Sequence, residues 1–505
     1  MSTGGSYLLL ANSIDQNNIL NAGEILRCRL ESIRQKNEKL LEEYKKKGQD
    51  ISQLNVTKNA TYGQMMKSHV FPLVSSYKPF VTMGNSYDVI RAPEGVLEWG
   101  SQWKFKFRNH GEFISDAVLE VKISSARTSD FRDKFKYCEF PGHRMMKRAY
   151  FRMNNSLIDQ YDSETYNEHY AFRLPHHKRE GWKRCMGQET DKRAYIVREP
   201  GVDEIREVTH VTNGLQTEKR THPEFTMWIP LMFWFQDPKQ AIPIVAMPDG
   251  TCEVTIETAT LAEMIASTDY GGGGAMDSNQ SPRIITASMH VNHIYVSEDI
   301  HDLLRERYHF MLMRVHQTQY KDINTSQGQI NQLNELRYPI ESLSFAAFPT
   351  SNLNVVDIWH RKTSLTQQTY TVPVIIQNPV ANTLSSNVAI YHDEADMFDT
   401  MTIKVQGIEL FVNQRMDFFT NYMPQKQNDT VTTPEDRGWA MLSFNTDANA
   451  YQPTGYLNLV ASRELVFQYT SSTINTGAPA RFVCIARALN FLIIDNGGVR
   501  LKYIS

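Results

Sequence analysis

The sequence predicts an all-β protein in which one β unit is present twice, and three observations carry that expectation. From about residue 65 onward, short runs rich in Val, Ile, Phe, Tyr and Trp alternate with Gly, Pro, Asn and Asp, the texture of an antiparallel sandwich or barrel. Trp228–Phe233 and Trp439–Phe444 share the pattern Trp-x-x-Leu-x-Phe. Each is followed in the same order by a proline, an alternating strand and a closing apolar run. These are Pro243, Val254 with Ile256, and Val291–Val296 in the first half, then Pro453, Leu465 with Phe467, and Leu489–Ile494 in the second. Ile256 lies as far beyond Trp228 as Phe467 lies beyond Trp439. Apolar strands with aromatic ends recur by chance in β-rich chains, but four matches in one order point to a duplicated domain.

Length and composition fit two large β domains. At 505 residues and 58.2 kDa, the chain has room for two all-β units of the usual size. Hydrophobic residues make up 41% and aromatics 11%, enough for two cores, while 22% charged residues and a mean hydropathy of -0.44 give a polar surface. A net charge of -3 argues against broad electrostatic capture of nucleic acid, so no direct nucleic-acid partner is expected. No run of about 18 apolar residues is present, and the start at Met1 lacks a basic n-region and a long apolar h-region, so entry into the secretory pathway is not expected. Cys28, Cys138, Cys185, Cys252 and Cys484 are scattered without CxxC spacing, which predicts reduced thiols rather than a disulfide framework or zinc site.

The elements follow in order. Residues 1–64 read as an N-terminal arm whose helix spans about 22–47, with Ile25, Leu26, Leu30, Ile33, Leu40, Leu41 and Tyr44 on one stripe and the cationic Lys45-Lys-Lys at its end. The first β domain is expected over 65–297. A short helical linker follows at 298–308, introduced by Ser297 with acids after it and arginines at its far end. The second β domain spans 309–505 and closes on a hairpin at Asn496-Gly497. Three polar inserts, 174–224, 267–282 and 350–397, are read as surface decoration on the two barrels.

Motifs for chemistry are missing. No Gly-Lys-Ser/Thr marks a phosphate loop, and the Gly271–Gly274 run lacks strand-turn-helix context. No Gly-x-Ser-x-Gly elbow is present. No His-x-His places two metal ligands on one strand face, and His290 and His293, like His309 and His316, point to opposite sides of a strand. His176-His177 is read as part of a basic loop. Glu253 and Glu257 share a strand face, as exposed strand acids often do. The run Met232-Phe-Trp-Phe reads as core rather than as a stacking platform for sugars or bases. No catalytic residue, cofactor or metal is expected.

Several segments together resemble one family. They are Cys138-Glu-Phe-Pro-Gly-His-Arg, Phe151-Arg-Met-Asn-Asn-Ser-Leu-Ile-Asp, Trp228-Ile-Pro-Leu-Met-Phe-Trp-Phe with Ala241-Ile-Pro, Asp299-Ile-His-Asp-Leu leading to Met313-Arg-Val-His-Gln-Thr-Gln, and Tyr451-Gln-Pro-Thr-Gly-Tyr-Leu-Asn. The chain resembles the major capsid protein of nucleocytoplasmic large DNA viruses, closest to the asfarvirus type, from its first residues nearly to its last. The signature positions are Trp228, Leu231, Phe233, Pro243, Trp439, Leu442, Phe444, Gln452, Pro453 and Gly455.

The resemblance implies a double jelly roll, two eight-stranded antiparallel barrels in one chain. It implies a homotrimer with a pseudo-hexagonal outline that tiles an icosahedral shell beside neighbouring capsomers and minor capsid and penton proteins. The protein would reside in the virion's outer capsid, assembled in host cytoplasm, and the 22–47 helix would face an inner membrane or inner-face proteins. The chain is shorter than its asfarvirus relatives, with the missing length expected in the inserts. Two alternatives remain open: a carbohydrate-binding or carbohydrate-active protein on two jelly rolls, and a transient scaffolding protein of the same fold.

Overall fold

Period-two alternation of apolar and polar side chains builds the strands. In Phe113–Ile123 the residues Ala117, Leu119, Val121 and Ile123 are buried, while Asp116, Val118, Glu120 and Lys122 between them are half-buried. The computed structural model describes residues 83–129, 133–188, 214–268, 280–296, 309–330, 336–374, 385–427, 431–448, 450–459, 464–495 and 497–503, the short strands 194–197 and 206–209, and isolated positions elsewhere. The expected helix at 22–47, the linker at 298–308 and the insert at 267–282 lie for the most part outside the described residues.

Sixteen strands form the body. The first eight are β1 (Met83–Ile90), β2 (Gln102–Lys106), β3 (Phe113–Ile123), β4 (Met146–Met153), β5 (Ser156–Asp162), β6 (Phe225–Pro230), β7 (Cys252–Thr258) and β8 (Ile284–Val296). The second eight are β9 (His309–Ile323), β10 (Gln327–Ile330), β11 (Pro339–Pro349), β12 (Thr400–Val405), β13 (Ile408–Arg415), β14 (Ala440–Ser443), β15 (Leu465–Thr470) and β16 (Ala480–Asp495). The first set pairs as β1-β8-β3-β6 and β2-β7-β4-β5, the second as β9-β16-β11-β14 and β10-β15-β12-β13. Adding eight to each label of the first barrel yields the second, so the strand order is repeated in full. This is the double jelly roll, each barrel built from two sheets with a four-strand path apiece, extended at the first sheet of each by short added strands.

The sequence repeat falls on equivalent strands. The Trp-x-x-Leu-x-Phe blocks overlap β6 and β14, the alternating strands are β7 and β15, and the closing runs lie in β8 and β16. Pro243 sits in the two-residue strand Ile242–Pro243 beside β3, and Pro453 sits just upstream of its counterpart Leu457–Asn458 beside β11. The turns between β4 and β5 and between β12 and β13 match as well. Asn154 and Asn155 have φ 50 and 62, and Gln406 and Gly407 have φ 51 and 74, the paired positive φ of a tight hairpin. The closing hairpin pairs Asp495 with Gly498, and Gly497 supplies φ 78.

Each core fills the space between two sheets. In the first barrel Val254 and Ile256 of β7 stand opposite Phe105 and Trp103 of β2 and Phe151 and Ala149 of β4, all buried. In the second, Phe467 of β15 meets Phe345 of β11 at 5.2 Å and Phe482 of β16 at 5.5 Å between ring centroids.

By Cα proximity the chain divides into two units. One comprises Met1–Ser86, His110–Phe113 and His293–Glu306, in which the Glu112 carboxylate accepts from the Val296 amide at 2.7 Å and meets His301 Nδ1 at 3.1 Å. The other, Tyr87–Asn109, Ile114–Asn292 and Arg307–Ser505, holds the barrels apart from the ends of β1, β3 and β8.

Two inserts depart from the expectation of surface decoration. His176-His177, read as loop, opens the helix His176–Cys185 (α2), and an unexpected helix, Ser163–Phe172 (α1), precedes it. Asp162 caps α1 by accepting from the Glu164 amide at 3.1 Å. The insert 350–397 buries Trp359 at 4% and Lys362 at 0% exposure before it leaves as the hairpin Ser364–Val374 and Ser385–Ala395. Its first part is therefore packed interior.

The equivalence of β7 and β15 generates a matched pair of core tests. Phe467→Ala is expected to cost about 3–5 kcal/mol and Ile256→Ala about 2–5 kcal/mol in urea unfolding. A loss below about 1 kcal/mol at either site would contradict the burial described.

Candidate functional site

The signature residues do not converge on one point. Leu231, Phe233, Trp439 and Leu442 are buried, Pro243 is buried beside β3, and Phe444 is half-buried with its amide donating to the Glu341 carbonyl at 2.9 Å. Gln452 is exposed and Pro453 half-buried. Gly455 has no room for a side chain, since a Cβ there would lie 2.7 Å from the Phe444 carbonyl oxygen. The two tryptophans of the repeat differ: Trp228 is 40% exposed, against 2% for Trp439. Its strand places it opposite Glu120 on the outer face of the sheet, where its ring lies 5.0 Å from His290. The run Phe233, Trp234, Phe235 is buried, as its composition predicts.

What the structure does bring together is the joint between the barrels, centred on α1. Ala171 and Phe172 form one apolar cluster with Ala346, Phe348, Met441, Val483 and Ile485, on the face of β9-β16-β11-β14 turned away from the second core. Phe172 meets Trp439 edge to face at 6.3 Å. The carbonyls at the end of α1 are satisfied from the second barrel's chain, where the Thr432 hydroxyl donates to Ala171 at 2.7 Å and its amide to Phe172 at 2.8 Å.

Polar groups of α1 are buried with it. Lys362 forms an ion pair with Glu164 at 2.7 Å, and its ammonium lies 4.2 Å from the Phe348 ring centroid. The Lys362 amide donates to Asp436 at 2.6 Å, and a Cβ at Gly438 would run into the Lys362 carbonyl. Glu164 also accepts from Asn167 at 3.1 Å, Asn167 faces His143 Nδ1 at 3.0 Å, and Trp182 donates to His143 Nε2 at 2.8 Å. Accepting from the indole at Nε2, His143 carries its proton on Nδ1 and donates to Asn167. Burial holds its pKa down to about 3 despite that bond. Glu168 accepts from Ser344 of β11 at 3.0 Å and from Arg173 at 3.0 Å. Burial would raise its pKa, but the Arg173 charge and hydrogen bonds outweigh this and hold it at about 2.

A second clamp secures the Gln452-Pro453-x-Gly455 stretch. Arg314 of β9 binds Glu341 of β11 at 2.7 and 3.2 Å and donates to the carbonyls of Ala450 and Tyr451 at 2.7 and 3.2 Å. With the Gln240 amide nitrogen on the Trp234 carbonyl at 3.1 Å, its oxygen accepts from Arg314 at 3.2 Å, so one guanidinium ties both barrels to this loop.

A cavity of about 850 Å³ opens beside the joint, lined by His143, Tyr170, His360, Asp436 and Trp439 among others. Burial pushes His360, like His143, down to about 3, so neither imidazole is tuned as a base near neutrality. Among the described residues no three His, Cys, Asp or Glu side chains gather as metal ligands. The chemistry of the joint is cohesion. Sequence reading missed it; the Asp162-Ser163-Glu164 cap was the available signal for α1, whereas nothing local marks Lys362 or Glu341.

Two predictions test the joint. Lys362→Met, which leaves Glu164 buried and unpaired, is expected to destabilise by about 3–5 kcal/mol, and adding Glu164→Leu should recover most of it. For His143 the folded pKa lies below the unfolded value of 6.5, so its contribution is full above that value and lost as pH falls toward 3. Between pH 7 and 5, His143→Gln should reduce the pH-dependent loss of unfolding free energy by about 2 kcal/mol; an unchanged slope would contradict the neutral assignment.

Comparison with known proteins agrees with this geometry. Residues 86–297 match the family model described as major capsid protein N-terminus. Hexon protein p72 of African swine fever virus is 21% identical across an alignment of 659 positions that covers all of both chains, and a major capsid protein of the same virus is 22% identical with the same coverage. The alignment is longer than this chain, so the relatives carry residues for which it has none. Among solved structures, the Faustovirus major capsid protein matches with a TM-score of 0.73 and 23% identity over 95% of this chain and 100% of that one. A PBCV-1 capsid chain matches with a TM-score of 0.63 and 16% identity over 85% and 99%. The strand order shows the double jelly-roll fold, residues 86–297 match the major capsid protein family model, and the relatives aligned over the whole chain are hexon and major capsid proteins of African swine fever virus.

Proposed function

We propose that this chain is the shell-building protein of a large DNA virus, and that three copies associate into a capsomer with a pseudo-hexagonal outline. The observation that carries the reading is the repeated strand order. Two barrels of one design, locked at a buried joint, form a rigid block with two similar lateral faces. A threefold arrangement of such blocks presents six similar corners, the outline that packs a plane and closes an icosahedral shell when the lattice is folded.

The domain limits that fit this reading are 65–297 and 309–505, joined by 298–308. Self-association and contacts with neighbouring capsomers follow from the capsid role. Minor capsid and penton proteins are further partners, and the arm at 1–64 is proposed to face an inner membrane or inner-face proteins. Assembly in host cytoplasm, residence in the outer capsid and a role without catalysis belong to the same proposal.

Light scattering on the purified chain tests it. The expected mass is about 175 kDa, three times 58.2 kDa. A monodisperse species of one chain's mass would overturn the reading.

A further inference from the structure

The two barrels are built alike but are not covered alike. On the second barrel, α1 closes the outer face of β9-β16-β11-β14, and every residue of β11 from Pro339 to Phe348 is buried. On the first, the equivalent strand β3 alternates buried with half-buried positions beyond its first residues. Trp228, the counterpart of the covered Trp439, is the one exposed tryptophan among seven. Tyr87 and Val89 of β1 are exposed as well, at 51% and 39%.

This open face is nonetheless rigid. Tyr87 and Asn292 donate to Asp116 at 2.8 and 2.9 Å, Ser288 donates to Glu120 at 2.9 Å, and His290 Nε2 meets Glu120 at 2.9 Å beneath the Trp228 ring. Side chains fixed in this way lose little conformational freedom on association.

Within the chain, the second barrel's face is covered by β5 and the helix that follows it. Tyr320 of β9 donates to Asp162 at the end of β5 at 2.6 Å, and α1 continues onto the sheet. The equivalent element of the second barrel is β13 followed by the helical segment Phe418–Lys426. It carries an exposed apolar stripe on an edge strand: Ile408 at 66%, Leu410 at 41% and Val412 at 55%, with Tyr422 at 51% on the helical segment. Such an edge is a liability unless another surface covers it.

The geometry points to a head-to-tail contact between copies: β13 and Phe418–Lys426 of one chain seat on the β1-β8-β3-β6 face around Trp228 of a second. The contact repeats between chains what β5 and α1 do within one. It uses two different patches, so it either closes into a ring or grows without end, and three two-barrel chains close a ring of six barrels. The placement rests on the self-association proposed above and adds which surfaces meet.

Photo-crosslinking separates the two claims. Trp228→p-benzoylphenylalanine is introduced into the full chain, isotope-labelled and unlabelled copies are mixed before association, and irradiated adducts are mapped by mass spectrometry. The expected adduct joins position 228 of one copy to residues 408–426 of another. Adducts elsewhere on the second copy, or none from a chain that scatters as a trimer, overturn the placement and leave the trimer intact. A chain that scatters as a monomer overturns both. Leu410→Asp with Val412→Asp gives a second arm: with circular dichroism and melting unchanged, the scattered mass is expected to fall threefold, from trimer to monomer. A folded variant that stays trimeric overturns the placement.

Discussion

The seating of one polar helix on the outer face of the second barrel is the constraint on which the rest of the structure depends. Helix α1 buries Glu164, Thr165, Asn167 and Glu168 along with Tyr166, Ala171 and Phe172. Burying carboxylates is costly unless each finds a partner, and here each does: Glu164 takes Lys362 and Asn167, and Glu168 takes Arg173 and Ser344. Lys362 and Ser344 belong to the second barrel's half of the chain. A shift of α1 along the sheet would strand at least two buried charges at once. The ion pairs therefore act mainly as a register device, setting how one barrel sits on the other, while the apolar cluster around Phe172 supplies the attraction.

The joint is built for cohesion. Burial holds the two imidazoles at the joint, His143 and His360, neutral. The Arg314–Glu341 clamp gives Gln452-Pro453-x-Gly455 a structural meaning, because its guanidinium holds the carbonyls just ahead of that stretch and also reaches Gln240 of the first barrel. A shell protein has to transmit lateral load between neighbours without its barrels rotating, and both features serve that end.

Much of the fold was legible in the sequence because it is written locally. The alternation in Val254 with Ile256 and in Leu465 with Phe467 marks strands that proved equivalent, and Asn496-Gly497 marks the closing hairpin, which pairs Asp495 with Gly498. The joint was not legible. Helix α1 reads as a polar surface segment because its buried side chains are polar, matched by groups nearly 200 positions downstream such as Lys362 and Ser344. Lys362 lies in an insert whose composition suggests solvent. The exposure of Trp228 was equally hidden: its pattern is that of Trp439, and only the placement of α1 over one tryptophan and not the other separates them.

That asymmetry ties the sequence repeat to assembly, since the barrel that the described residues leave open is the one proposed to take a neighbour. Single-particle electron microscopy of the purified oligomer tests this most directly. The account predicts a threefold ring of six barrels in which the contact between chains superposes on the contact within a chain and Trp228 is buried. A ring in which first barrels meet first barrels, or one that leaves Trp228 facing solvent, would contradict it.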